Sequence, residues 1–231
     1  MHANSSPIVT SQAHPHEDLA RRVARGLKTP WRKPVADHTQ EAFDYAEHWR
    51  KAKDLPVIID AGCGVGLSTR RLAERFPDHS VIGIDRSADR LSRALSREYG
   101  ALPDNALLVR ADLVDFWRLA LDAGWQPVRH YLLYPNPYPK AAQLKRRWQG
   151  HPVFPSIVAL GGRLELRSNW SVYVEEFALA LTQAAKVRPT LENFSPEGDY
   201  LTPFERKYTE SGQRLWRLTC ELPHRPSLLP R

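Results

Sequence analysis

The sequence predicts an α/β fold in which a doubly wound, mostly parallel sheet is covered by helices on both faces. Short runs of β-branched and aliphatic residues alternate with helical stretches from about residue 57 onwards, a spacing typical of successive β-α-β units. The strand runs are largely apolar, as expected for strands buried on both faces. A last strand over residues 213–221 has no helix after it, and we expect it to close the sheet as an antiparallel edge strand.

The local pattern of apolar and polar residues predicts each helix and strand. Residues 38–51 predict a short helix that carries Phe43 and Ala46 on one face. Beyond it, periodicity separates short apolar strands from longer amphipathic helices. The strands are predicted at residues 57–61, 80–84, 106–110, 128–134 and 163–168, and the helices at 67–76, 88–98, 113–121 and 173–185.

Length and composition favour one globular domain with an extension. The chain has 231 residues, of which 42% are hydrophobic and 26% are charged, as in ordinary globular proteins. It has two cysteines, Cys63 and Cys220, too few for a disulfide framework. We find neither a signal sequence nor an apolar run near the ~20 residues that span a membrane. We therefore expect a cytoplasmic protein whose residues 38–231 form a single domain.

The chain is basic, and its first 37 residues contribute to that charge. The formal net charge is +7 and the isoelectric point about 9.6, which favours a polyanionic partner such as nucleic acid. We expect residues 1–37 to form a flexible or loosely packed arm that either binds phosphates or is simply solvated. His14 and His16 lack companion ligands, so we expect no metal site. The arm's cations are Arg21, Arg22, Arg25, Lys28, Arg32 and Lys33.

The most informative local motif joins the first predicted strand to the following helix. Gly62, Gly64 and Gly66 follow Asp60, and glycines at such a turn permit positive φ angles and close approach to a ligand. A dinucleotide-binding fingerprint requires its third glycine at position 67, where this chain has Leu67. The motif therefore disfavours an NAD-dependent dehydrogenase.

Three acidic residues stand at the ends of three successive predicted strands. Asp60, Asp85 and Asp112 should meet at the carboxyl edge of the sheet. Asp60 suits a cationic ammonium group, Asp85 the ribose hydroxyls and Asp112 the exocyclic amine of adenine, although each alone is also compatible with a helix cap. Together they predict S-adenosyl-L-methionine as the cofactor. Its predicted contacts are Asp60, Gly62, Gly64, Asp85, Arg86, Ala111, Asp112 and Asn136.

A rigid loop and a basic segment follow the fourth predicted strand. Three prolines fix the backbone of residues 135–139, and we expect Asn136 and Tyr138 to point into the crevice beside the cofactor. There Tyr138 would stack on a flat heterocycle and Asn136 would bind its edge. The basic segment that follows predicts phosphate contacts through Lys140, Lys145, Arg146 and Arg147.

These motifs resemble the TrmB group of tRNA (guanine-N7) methyltransferases. The resemblance implies a Rossmann-like class I methyltransferase fold and use of S-adenosyl-L-methionine. The glycine loop is common among methyltransferases, whereas the combination of the proline loop, the basic segment and the C-terminal block is specific. The resemblance extends from Val57 to Glu221 and rests on the glycine loop, PNPYPK with KRR, Ser168–Trp170, and Leu201–Glu205 with Tyr208 and Gly212.

The resemblance also implies residue roles at the acceptor side. We assign catalytic roles to Asn136, Asn169 and Glu205, which would orient the target base. The implied substrate contacts are Tyr138, Lys140, Lys145, Arg146, Arg147, Asn169, Thr202, Phe204 and Glu205.

Two amides depart from the family's pattern. The family usually has Asp at the positions of Asn136 and Asn169, Trp at Tyr138 and His at Gln143. The leading hypothesis is N-methylation of a purine ring nitrogen, namely guanine in tRNA. Two alternatives stay open: N-methylation of a small heterocyclic metabolite, and an inactive family member that binds RNA.

Overall fold

Within the part of the chain that the structure describes, a seven-stranded β-sheet forms the centre of the fold. The structure, a computed structural model, describes residues 5–29, 31–94, 101–196, 198–225 and 228. The strands within these residues are β1 (Val57–Ala61), β2 (Ser80–Asp85), β3 (Ala106–Arg110), β4 (Arg129–Leu133), β5 (Gly162–Ser168), β6 (Thr190–Phe194) and β7 (Leu215–Leu222).

These strands form one sheet in the order β3-β2-β1-β4-β5-β7-β6. The pairs from β3 through β5 are parallel, whereas β7 runs antiparallel to both β5 and β6. The doubly wound, mostly parallel sheet is therefore confirmed. The strand predicted as the edge is antiparallel, as expected, but β6 lies outside it.

Helices cover both faces of the sheet. Adjacent residues of β1 point to opposite faces: Ile58 packs with Leu72 on one side and Ile59 packs with Phe116 on the other, all fully buried. Burying each such side chain contributes about 1.5–3 kcal/mol. The helices among the described residues are α1 (Leu19–Lys28), α2 (Asp37–Lys53), α3 (Leu67–Arg75), α4 (Ala88–Ala94), α5 (Leu113–Asp122), α6 (Phe154–Leu160), α7 (Ser171–Ala185) and α8 (Pro203–Glu210), and 3-10 helices lie at Ala141–Arg146 and Trp148–Gly150.

The order of the strands creates a crevice at the carboxyl edge of the sheet. From β1 the chain proceeds through β2 to β3 on one side, and β4 then returns to the other side of β1. Loops that leave β1 and β4 diverge at such a switch point, where open α/β sheets bind their ligands. The glycine loop and the proline loop therefore form opposite walls of one crevice.

The N-terminal segment packs against this domain, contrary to the loosely packed arm that we expected. Leu19 and Val23 of α1 are buried in the main core, and α1 contacts α6 and α7. Upstream of α1, the Thr10 hydroxyl donates to the Pro139 carbonyl at 2.7 Å and Gln12 Nε2 donates to Glu176 at 2.7 Å. Among the described residues, none of the helices combines the length and apolar character that crossing a membrane requires.

Candidate active site

The backbone N–H groups at the start of the glycine loop bond to β2 and are not free to bind an anion. Gly62, Gly64 and Gly66 have φ angles of 81°, 60° and 71°, which only glycine adopts at low cost. The N–H groups of Gly62 and Cys63 both donate to the Ile84 carbonyl, at 2.8 and 3.0 Å. Because these donors are already bonded, the loop offers little to a pyrophosphate, consistent with the prediction against a dinucleotide.

Asp60 lies beneath this loop with one oxygen bonded and the other free. Its Oδ2 accepts hydrogen bonds from the hydroxyls of Ser68 and Thr69 at 2.6 and 2.7 Å, which anchors the start of α3. Its Oδ1 is buried and has no partner among the described residues. Burial raises the pKa of Asp60 to about 6, and the charge of Asp85 contributes in the same direction. A buried carboxylate oxygen without a partner fits the cationic end of S-adenosyl-L-methionine.

Asp85 occupies the end of β2 and orders the glycine loop. Its Oδ2 accepts from the Gly64 N–H at 3.0 Å and its Oδ1 from the Ser87 N–H at 2.8 Å. Arg90 Nη1 also lies 3.5 Å from Oδ2, so the second acceptor position of Oδ1 is the one left for a ribose hydroxyl. Arg86, which follows, is exposed.

Asp112 can fill both roles that the sequence left open, the helix cap and the contact with adenine. Its Oδ1 caps α5 by accepting from the Val114 N–H at 2.8 Å. No hydrogen bond to its Oδ2 occurs among the described residues, so this oxygen remains available to an adenine amine. Ala111 is buried beside it and donates its N–H to the Asp85 carbonyl at 3.2 Å.

The proline loop presents the acceptor side of the crevice. Asn136 is exposed and its Oδ1 accepts from the Tyr138 N–H at 3.2 Å. Tyr138 has a φ angle of 44° and half-buries its ring. Asn169, at the end of β5, is half-buried and donates its Nδ2 hydrogen to Gln213 Oε1 at 2.9 Å. Because β4 and β5 are neighbours, Asn136 and Asn169 follow adjacent strands at the same edge.

The basic segment is divided between surface and interior. Lys140, Lys145 and Arg146 are exposed, as phosphate contacts require. The prediction for Arg147 is wrong, because its side chain is fully buried. Its guanidinium pairs with both oxygens of Glu176 at 2.7 and 2.8 Å and also donates to the Tyr138 carbonyl.

The C-terminal block is mostly buried as well. Thr202 caps α8 by accepting from the Glu205 N–H at 3.0 Å. Glu205 is fully buried and accepts from Arg167 at 2.5 Å and from the Tyr134 hydroxyl at 3.2 Å. The structure therefore corrects the prediction that Glu205 contacts the base directly. Phe204 is 47% exposed.

Several residues around the crevice were not singled out from the sequence. Ser68 and Thr69 follow the glycine loop. Two hydroxyl side chains at the start of a helix indicate a nearby carboxylate that accepts their hydrogen bonds. Glu176 interrupts the apolar face of α7 between Tyr173 and Phe177, a sign of a buried acid with a partner. Gln213 carries no sequence signal, because its contact with Asn169 depends on the turn between α8 and β7.

The strand order and the acids at the ends of β1, β2 and β3 define a class I S-adenosyl-L-methionine-dependent methyltransferase. The chain belongs to the family described as "Putative methyltransferase", whose model matches residues 54–218, and is a divergent member of the TrmB type. A tRNA (guanine-N(7)-)-methyltransferase of Leifsonia xyli subsp. xyli is 30% identical over 191 residues, which cover 75% of this chain and 78% of the relative. One from Brevibacillus brevis is 26% identical over 185 residues, covering 75% and 85%.

Solved structures share the fold. The 16S rRNA methyltransferase KamB superposes with a TM-score of 0.57 at 18% identity, covering 83% of this chain and 96% of that chain. An antibiotic-related methyltransferase gives a TM-score of 0.57 at 16% identity, covering 85% and 98%.

Proposed function

We propose that this enzyme methylates N7 of guanine in tRNA. The observation that carries the proposal is the exposure of Lys140, Lys145 and Arg146 next to the acceptor loop of a crevice built for S-adenosyl-L-methionine. Cations beside the acceptor side of such a crevice suit a base that belongs to a polyanion. The names of the relatives from Leifsonia and Brevibacillus support tRNA as that polyanion.

The reaction demands little acid–base chemistry from the protein. Bound S-adenosyl-L-methionine supplies a methyl group on a positively charged sulfur. Guanine N7 carries a free lone pair that forms the new C–N bond while the C–S electron pair goes to sulfur, so no proton has to leave. The protein must therefore align the base with the methyl group, and alignment alone supplies large rate factors.

Different residues of the crevice would bind the cofactor and the base. Asp60, Asp85 and Asp112 would hold the cofactor from its cationic end to its adenine. Asn136 and Asn169 would hold the edge of the base on the opposite wall. Glu205 would act indirectly. Its carboxylate accepts hydrogen bonds from the Tyr134 hydroxyl and from Arg167, which lie behind the proline loop.

A second candidate function keeps the chemistry and replaces the RNA with a small heterocycle. It is favoured by the neutrality of Asn136 and Asn169. Positive charge develops on the base during N7 methylation, and a nearby carboxylate would stabilise the transition state more than an amide does. We further propose that the enzyme acts in the cytoplasm, where a tRNA substrate would be encountered.

Methyl transfer to two acceptor pools tests the proposal. Purified enzyme and labelled S-adenosyl-L-methionine are incubated in parallel with unmodified tRNA and with a metabolite extract, and the products are analysed by nucleoside mass spectrometry. We expect 7-methylguanosine in the tRNA arm. Product confined to the metabolite arm would support the second candidate, and RNA binding without product in either arm would indicate an inactive member.

A further inference from the structure

The two amides of the acceptor side have fixed orientations. At Asn136 the side-chain Oδ1 accepts from the Tyr138 N–H at 3.2 Å. A backbone N–H can only donate, so the oxygen of this amide must face Tyr138. Asn136 therefore presents its Nδ2 donor to a ligand, while one of the two acceptor positions of its Oδ1 is already occupied.

At Asn169 the orientation is set by a relay that starts in the N-terminal segment. Gln213 Nε2 donates to the Ser5 carbonyl at 2.8 Å, and Gln213 Oε1 accepts from Asn169 Nδ2 at 2.9 Å. A carbonyl can only accept, so rotating the Gln213 amide would place its oxygen against the Ser5 oxygen. The relay therefore turns the Asn169 amide nitrogen towards Gln213. Its Oδ1 has no hydrogen-bond partner among the described residues.

We propose that Gln213, held by the Ser5 carbonyl, is a specificity-determining residue that makes Asn169 an acceptor opposite the donor of Asn136. This inference rests on the proposed function. The pair selects a purine edge that offers one acceptor beside one donor, and guanine O6 with N1–H is such an edge. The exocyclic N2 amine of guanine is not needed. Two carboxylates at these positions would instead accept from both N1–H and the N2 amine.

Replacing the target guanosine by inosine tests this base edge, because inosine lacks only the N2 amine. The tRNA is assembled by ligation with guanosine or inosine at the position that becomes methylated. We expect wild-type kcat/KM on inosine to stay within about threefold of that on guanosine. The double variant Asn136→Asp, Asn169→Asp should discriminate against inosine by about tenfold or more, since inosine cannot donate the charge-assisted hydrogen bond that the N2 amine makes. A tenfold loss on inosine with the wild-type enzyme would overturn the proposal.

Substitutions of Gln213 separate positioning from a general structural role. Gln213→Leu removes the acceptor for Asn169, and we expect kcat/KM on guanosine to fall about 2- to 10-fold, the range for one neutral hydrogen bond. Gln213→Glu keeps that acceptor but places a carboxylate oxygen against the Ser5 carbonyl, so its activity should lie between those of Gln213→Leu and the wild type. Gln183→Leu is the matched control, because Gln183 Nε2 donates to the Ala20 carbonyl at 2.9 Å and so links α7 to the N-terminal segment without contacting Ser5 or Asn169. Equal losses in Gln213→Leu and Gln183→Leu would contradict a specific role for Gln213.

The relay can also be measured without turnover. The side-chain NH₂ resonances of Asn169, identified by their disappearance in Asn169→Asp, should exchange slowly with solvent in the wild type. Exchange should accelerate about tenfold in Gln213→Leu and stay unchanged in Gln183→Leu. Fast exchange in the wild type would overturn the relay, whereas a protected amide with no methylated guanosine in tRNA would reject the proposed function and leave the relay standing.

Discussion

Asp60 is the residue whose ionisation links the crevice to pH. Its pKa is about 6 in the folded protein because of burial, against 3.8 for an ordinary aspartate. Between these values the folded protein binds more protons than the unfolded chain, so stability of the cofactor-free protein falls as pH rises from about 4 to about 6 and then levels. The shift corresponds to about 3 kcal/mol at most. Asp60→Asn should flatten this part of the stability–pH profile, as measured by thermal unfolding.

The same residue makes cofactor affinity depend on pH. A cationic ligand prefers the ionised carboxylate, so affinity for S-adenosyl-L-methionine should rise as pH increases through about 6 and level above it. Calorimetric titrations from pH 5 to 8 measure this, with Asp60→Asn as the variant that should lose the dependence. A wild-type affinity that is constant over this range would show that Asp60 does not face the cation.

Asp85 makes a second prediction at this scale. Asp85→Ala removes the acceptor for the ribose and also releases the Gly64 N–H. Loss of a hydrogen bond to a charged group costs about 1.5–3 kcal/mol, so cofactor affinity should fall at least tenfold by calorimetry. Asp89→Ala is the control, because Asp89 lies on the exposed face of α4 and pairs with Arg93. Equal affinities of the Asp85→Ala protein and the wild type would reject the assignment.

The positions of the acids at the strand ends could be predicted from the sequence, but the direction of each basic side chain could not. The acids were predictable because the carboxyl ends of parallel strands converge. Arg146 and Arg147 are adjacent in one charge run, yet one is exposed and the other fully buried. Their difference depends on the turn between the two 3-10 helices and on Glu176 from α7, which a local pattern does not contain.

The ion pair between Arg147 and Glu176 joins several elements at the acceptor wall. Arg147 holds the Tyr138 carbonyl of the proline loop, and Glu176 accepts from Gln12 and from the His16 N–H of the N-terminal segment. Removing one partner leaves a buried charge uncompensated, which costs about 3–5 kcal/mol.

Glu176→Gln should therefore lower the free energy of unfolding by several kcal/mol and increase hydrogen exchange in residues 135–147. Glu47→Gln is the matched control. Glu47 accepts from Arg50 and from the Trp125 indole N–H, and its side chain is 17% exposed. A smaller loss is expected there, without faster exchange in the proline loop. Unchanged exchange in both variants would show that the pair does not position the loop.

Three elements that were missed from the sequence, α1, α6 and β6, have residue patterns that do not match their burial. The arginines of α1 obscure the buried positions Leu19 and Val23. The seven residues of α6 are all buried, so they lack the alternating polar face that identifies a helix. The residues of β6 are largely exposed, so this edge strand has no apolar run. The strands β1 to β4 were predictable because burial on both faces favours apolar sequence, whereas β5 alternates Leu164 and Leu166 with charged residues.

The positive charge of the whole molecule predicts salt-dependent RNA binding. Arg146→Glu should weaken association with tRNA and reduce the slope of log affinity against log salt by about one, because one phosphate is no longer neutralised. Arg188→Glu is the control, because Arg188 is also an exposed arginine but lies between α7 and β6, at the end of α7 that is remote from the crevice. The measurement is fluorescence anisotropy over a salt series. Equal effects of both changes would indicate nonspecific attraction alone.

Mapping the methylated nucleotide tests the central claim most directly. Borohydride reduction followed by aniline cleaves RNA at 7-methylguanosine, so an unmodified tRNA treated with the enzyme and S-adenosyl-L-methionine should give a cleavage band at one guanosine. The band should be strongly reduced with the Asp85→Ala protein. Transfer of label into the RNA without cleavage at guanosine, or no transfer from a protein that binds the cofactor, would contradict guanine N7 methylation of tRNA.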